Sequence, residues 1–223
     1  MRIRFLAAAL LAALILPLRA AAAEEILFFG DSLTAGYGLD DADRDAYPAL
    51  IQRKIAAAGL PWTVVNAGLS GDTTAGGLRR LDWALRRLPD VFLLELGAND
   101  GLRGLPTQVT TSNLEAIIAR VRARDPAALI VLIGMRMPPS LGQDFTGAFA
   151  AIYPRVAAQA HVPLVPFLLA GVGGVPGMNQ PDEIHPTAAG HAVLAENVWK
   201  VLGPLLEARA RAENPSTAAK ASG

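Results

Sequence analysis

The 223-residue chain contains no cysteine. That excludes a disulfide scaffold, a thiol nucleophile and any thiolate zinc or iron–sulfur site. Neither sign of charge is in excess, with 20 Lys and Arg against 20 Asp and Glu. Such a balance gives no electrostatic drive toward nucleic acid, which proteins bind by neutralising phosphates and releasing counterions. Charged residues make up only 18% and hydrophobic residues 52%, too apolar a mixture for a disordered chain. A hydrophobic run of membrane-spanning length is also missing. Residues 5–16 form an unbroken apolar run of 12, and a span needs about 20.

That run has a different meaning. It follows Met1-Arg2-Ile3-Arg4 and precedes Pro17-Leu18-Arg19 and four alanines ending at Ala23. A basic start, a short apolar stretch and small residues at the end are the layout of a secretory signal peptide. The predicted division is a signal peptide at 1–23, one domain at 24–207 and a disordered tail at 208–223. Cleavage after Ala23 would leave 200 residues and remove three arginines, so 17 basic residues would face 20 acidic ones. The expected product is exported, periplasmic or secreted, with no stable membrane anchor. About 200 residues bury roughly 70% of the surface that the unfolded chain exposes, enough for one sizeable core.

Five apolar runs, at 26–29, 62–67, 91–96, 128–134 and 163–167, alternate with segments of helical period. Their hydrophobicity is continuous, which marks strands buried on both faces of a parallel sheet. The last run has two prolines and reads as an edge strand. Between them, Leu78, Leu81, Leu85 and Leu88 form one helical stripe, Leu114, Ile117, Ile118 and Val121 a second, and Leu194, Val198, Val201, Leu202 and Leu205 a third. The pattern predicts an α/β fold, a three-layer α/β/α sandwich on a five-stranded parallel sheet. Trp62, Trp83 and Trp199 read as core. Arg79, Arg80, Arg86 and Arg87 read as a solvated helix face.

In an open α/β sheet the ligand lies beyond the carboxyl ends of the strands. The residues there are chemically distinct. Ser32 follows the first run, Gly71 the second and Asn99 the third, while Asp182 and His185 precede the last helix. A serine nucleophile needs an imidazole to take its proton, and the imidazole needs a carboxylate to fix its tautomer. Asp182 and His185, three apart, can meet within one turn of chain, and Pro186 fits the first position of the following helix. The N–H groups of Ser32 and Gly71 and the amide of Asn99 could then stabilise an oxyanion. Ser70 is a rival nucleophile and Gly68 a rival donor. Asp31 and Asp100 read as structural, Glu183 as solvated, His161 as a surface or capping residue, and His191 as structural. Leu102, Met137 and Pro138, on loops after the third and fourth strands, could line an acyl groove.

Gly30-Asp31-Ser32-Leu33, Gly71, Gly97-Ala98-Asn99-Asp100 and Asp182-Glu183-Ile184-His185-Pro186 resemble the four sequence blocks of the SGNH (GDSL) hydrolase family. The resemblance spans about 26–206 and is closest to the bacterial periplasmic branch of acyl-CoA thioesterases, lysophospholipases and arylesterases. It implies Ser32 as nucleophile, His185 as base, Asp182 as its orienter, and Ser32, Gly71 and Asn99 as the oxyanion hole. It implies the flavodoxin-like strand order 2-1-3-4-5, no metal and no cofactor. Ala98 departs from the family, where a second glycine is common. The expected partner is a small-molecule acyl ester or thioester, not nucleic acid, and a monomer is expected. The alternatives are a carbohydrate acetylesterase, a metal phosphatase built on Asp31, Asp100 and His185, and a flavodoxin-like binding module. The last lacks both Gly-x-x-x-x-Gly-Lys-[Ser/Thr] and Gly-x-Gly-x-x-Gly.

Overall fold

The computed structural model describes residues 24–213. The predicted signal peptide and the tail beyond Glu213 lie outside the described residues. In chain order the elements are β1 (Glu25–Gly30), α1 (Ser32–Ala35), α2 (Ala42–Asp45), α3 (Tyr47–Ala57), β2 (Thr63–Asn66), α4 (Thr74–Ala84), β3 (Val91–Glu95), α5 (Ala98–Leu102), α6 (Thr107–Arg124) and β4 (Leu129–Ile133). A 3-10 turn (Pro139–Leu141), α7 (Gln143–Ala150), α8 (Ile152–Ala160), β5 (Leu164–Val165) and α9 (Ala188–Glu213) follow.

All the pairings are parallel and the order is β2-β1-β3-β4-β5, as expected. β1 and β3 lie inside the sheet and every residue of both is buried. Their side chains have no water-facing side, which is why their sequences do not alternate. β5 pairs only at Leu164 and Val165. Proline at either side has no N–H to extend the ladder, so the strand stops at two residues. α3 and α9 pack together on one face, and α4, α6 and α8 on the other.

The second stripe is wholly buried, and Leu194, Val198 and Leu202 anchor α9. Burying each such leucine contributes about 2 kcal/mol. Three readings need correction. Trp83 is 63% exposed, because it lies two positions, about 200° round the helix, from the fully buried Leu81 and so faces outward on α4. Leu88 is 44% exposed, because α4 ends at Ala84 and the stripe runs out of helix. The domain does not stop at 207: α9 runs to Glu213, with Arg209 reaching the carbonyls of Asp90 and Ala127. Among the described residues no helix is long and apolar enough to cross a membrane.

Candidate active site

β1 runs into a one-turn helix. The Asp31 carboxylate caps it, accepting from Leu33 N–H at 3.0 Å. Ser32 is the first residue of that turn, so its own N–H has no acceptor within the helix. Gly30 has no alternative here, since a Cβ would collide with the side chains of Thr34 and Glu95.

His185 Nε2 lies 2.9 Å from Ser32 Oγ, and Nδ1 lies 2.6 Å from Asp182 Oδ2. The other Asp182 oxygen accepts the N–H groups of Ile184 and His185, each at 3.0 Å. The bond from His185, then these backbone bonds, hold the Asp182 carboxyl at about 2. An ionised carboxylate can only accept, so Nδ1 is the donor to Asp182, the tautomer in which Nε2 faces Ser32 as an acceptor. The turn closes through Glu183 at φ 59°. Gln180 then fixes it to the nucleophile side, with its N–H on the His185 carbonyl at 2.7 Å and its amide on the carbonyls of Tyr37 and Pro186. The Tyr37 ring lies 4.6 Å from the imidazole, centre to centre.

Pro186 does not open the last helix. It pairs with Asn179 in an isolated antiparallel bridge. The flanking N–H groups of Gln180 and Thr187 make the bonds there, so the missing N–H of proline costs nothing. Thr187 caps α9 instead, its hydroxyl accepting from Gly190 N–H.

Gly71 sits at φ 78°, and among the described residues its N–H has no protein acceptor. The rival Gly68 N–H is taken by Asn66 Oδ1 at 2.9 Å. Asn99 Nδ2 donates to the Asp72 carbonyl at 2.9 Å and has a longer contact, 3.3 Å, with Asp31 Oδ2. Ser70 is exposed and bonds to no histidine. Asp100 is structural: it receives Thr74 N–H at 2.9 Å, the Thr74 hydroxyl and, weakly, Thr110. Among the described residues no three His, Asp or Glu side chains converge as the phosphatase alternative requires. His161 ends α8 in left-handed conformation, as a capping residue. His191 is buried, accepts Tyr47 N–H at Nδ1, and is pushed down to about 4 by desolvation first.

Three residues escaped the sequence reading. Arg80 belongs to the arginines taken as solvated, yet its guanidinium binds Asp72 at 2.6 Å and the carbonyls of Ala67 and Gly30 at 2.9 Å, and stacks on Phe29. Nothing in the helical period separates it from Arg79. Gln180 had no signal either. Glu95 had one, an acid inside an otherwise apolar strand.

A cleft of about 1110 Å³ opens beside Ser32 and His185. Leu102, Met137 and Pro138 all line it. Leu102 is 42% exposed, whereas Met137 is 8% exposed and packs its sulfur over Gly101, so it forms floor rather than rim.

The sequence profile of the GDSL-like Lipase/Acylhydrolase family matches residues 28–193. The chain is 45% identical over 195 residues to esterase TesA of Pseudomonas aeruginosa, covering 87% of this chain and 95% of that one. It is 40% identical over 193 residues to thioesterase 1/protease 1/lysophospholipase L1 of Escherichia coli, covering 86% and 89%. A crystal structure of TesA superposes with a TM-score of 0.78 at 44% identity, covering 82% of this chain and 99% of that one. A family profile and relatives that span nearly the whole fold leave one assignment: this chain belongs to the GDSL-like lipase/acylhydrolase family.

Proposed function

We propose that the chain is a serine hydrolase that cleaves acyl esters and thioesters through an acyl-Ser32 intermediate. The observation that carries this reading is the unbroken line of bonds from Asp182 through His185 to Ser32, opening onto the cleft. Ser32 Oγ attacks the acyl carbon as its proton passes to His185 Nε2. Asp182 stabilises the imidazolium and stays ionised. The new oxyanion is held by the N–H groups of Ser32 and Gly71 and by Asn99 Nδ2, whose longer contact to Asp31 yields to the stronger acceptor. His185 returns the proton to the leaving alkoxide or thiolate. It then activates water, which attacks the acyl-enzyme and restores Ser32. Each step conserves its proton, so no cofactor is needed.

The acyl chain rests against Leu102, Met137 and Pro138. The relatives named esterase and thioesterase support both leaving groups. The substrate is a small molecule that diffuses into the cleft, and the enzyme acts as an exported monomer. Export rests on the basic, apolar and alanine-rich segments of residues 1–23.

The test is hydrolysis of p-nitrophenyl esters from acetate to palmitate, with an acyl thioester beside them, by protein beginning at Glu24. Turnover that vanishes in Ser32→Ala is the expected result. A folded protein inactive on the whole series, or a Ser32→Ala variant of full activity, would overturn the reading.

A further inference from the structure

β3 ends in a carboxyl group that acyl transfer does not use. Glu95 is 1% exposed. Its Oε2 accepts Asp31 N–H at 3.2 Å and the Thr34 hydroxyl at 2.8 Å, and that hydroxyl meets Tyr47 OH at 2.7 Å. Its Oε1 is fully buried and receives no hydrogen. The nearby cation offers no relief, because the Arg80 guanidinium is committed to Asp72, Ala67 and Gly30. A carboxylate with a bare buried oxygen and no counter-ion is costly. A carboxylic acid is not, provided the hydrogen on Oε1 finds an acceptor. The acceptor at hand is the carboxylate of Asp31, the residue whose own N–H already sits on Oε2.

Asp31 is also the hub of the site. One oxygen caps α1 at Leu33 N–H, and the other faces Asn99 Nδ2 at 3.3 Å. We propose that Glu95 is a positioning residue that stays protonated, donates its proton to Asp31, and so holds the Ser32 turn and the Asn99 amide in one frame. This rests on the reading of Ser32 as nucleophile and Asn99 as oxyanion donor. The absence of a side chain at Gly30 is what leaves room for the pair.

The electrostatics agree. Burial first, then the Asp31 charge, pushes Glu95 well above the carboxylate range. Burial raises Asp31 to about 6, with the bonds from Leu33 and Glu95 pulling it down. The titratable groups facing the pair are Tyr47 from α3, Tyr153 from α8, Asp72 with its Arg80 partner from α4, and His185 across the site. Both tyrosines are fully buried, pushed upward and neutral.

Infrared spectroscopy of wild type and Glu95→Gln at about pH 8, where an ordinary carboxyl is ionised, tests the proton directly. A protonated-carboxyl C=O band in wild type that is missing from Glu95→Gln is expected; its absence from wild type overturns the proposal. Kinetics tests the positioning, with active sites counted by a phosphonate-ester titration so that unfolded protein is excluded. Glu95→Gln, the isostere of the neutral acid, keeps kcat within about threefold, whereas Glu95→Met lowers it roughly 10–100-fold at nearly constant KM. Equal damage in both variants overturns the proposal. Should Glu95→Met not fold, the band and the Gln variant still decide. Full activity in Ser32→Ala would remove the catalytic reading and the positioning role with it, whatever the band shows.

Discussion

In the proposed mechanism Ser32 and His185 act as one unit, so losing either removes attack and proton transfer together. Replacing either by Ala is expected to lower kcat by about 10⁶, leaving the residual catalysis of the oxyanion hole and binding. Asn99→Ala should lower kcat by about 10²–10³ with KM little changed, because the oxyanion exists only after attack. Steady-state kinetics on one ester checks all three. Met137→Ala should move the acyl preference toward longer chains, since it deepens the floor of the cleft over Gly101; an unchanged chain-length profile would remove Met137 from the acyl site. Residue identity carried much of this. The pairing of Asp182 with His185 was legible from their spacing, whereas only the structure shows that Asn66 occupies the Gly68 N–H and that the Gly71 N–H is left open.

Individual elements are held to the sheet by few polar contacts, and those contacts set their response to mutation and pH. Arg80 ties α4 to the loop after β2 and to the end of β1. Arg80→Met leaves Asp72 buried without its partner and is expected to cost about 3 kcal/mol in urea unfolding. His191 joins α9 to the first residue of α3 through Tyr47 N–H. Its folded value, about 4, is depressed from 6.5, so it favours the fold fully above 6.5. As pH falls toward about 4 the unfolded chain takes up a proton that the folded one refuses, and that stability is lost. The loss amounts to roughly 3 kcal/mol across the window. His191→Asn keeps an acceptor for Tyr47 but cannot titrate, so its stability should be flatter over the same range. All five strands were readable from their continuous apolar runs, and the main helical stripes from periodicity. Helix ends were not, because Thr187 and the bridge at Pro186 depend on a segment that folds back from Met178 and Asn179.

At the scale of the molecule, the strand order decides the site. β2, β1 and β3 are neighbours and parallel, so their carboxyl ends bring Gly71, Ser32 and Asn99 to one edge. His185 arrives from beyond β5, at the far edge of the sheet. The segment between β5 and α9 must therefore cross back over the strand ends, and in doing so it forms part of the cleft wall. The chain beyond 207 is part of this body. Truncation after Glu207 removes the Arg209 bonds to Asp90 and Ala127, and should lower stability by about 1–2 kcal/mol while kcat stays unchanged. Thermal unfolding beside an ester assay separates the two effects.

The sequence by itself determined the layer architecture, the family and the three residues of the Ser32–His185–Asp182 line. Apolar runs, helical stripes and short motifs are local, and local patterns need no partner to be read. Only the tertiary structure decided that Arg80 is a clamp rather than a solvated charge, that Gln180 joins the two halves of the site, and that Glu95 and Asp31 share a dry space behind Ser32. Each of those roles depends on groups many residues away that meet only after the sheet is assembled. A side chain's charge state and partners follow from that company, which no single stretch of sequence contains.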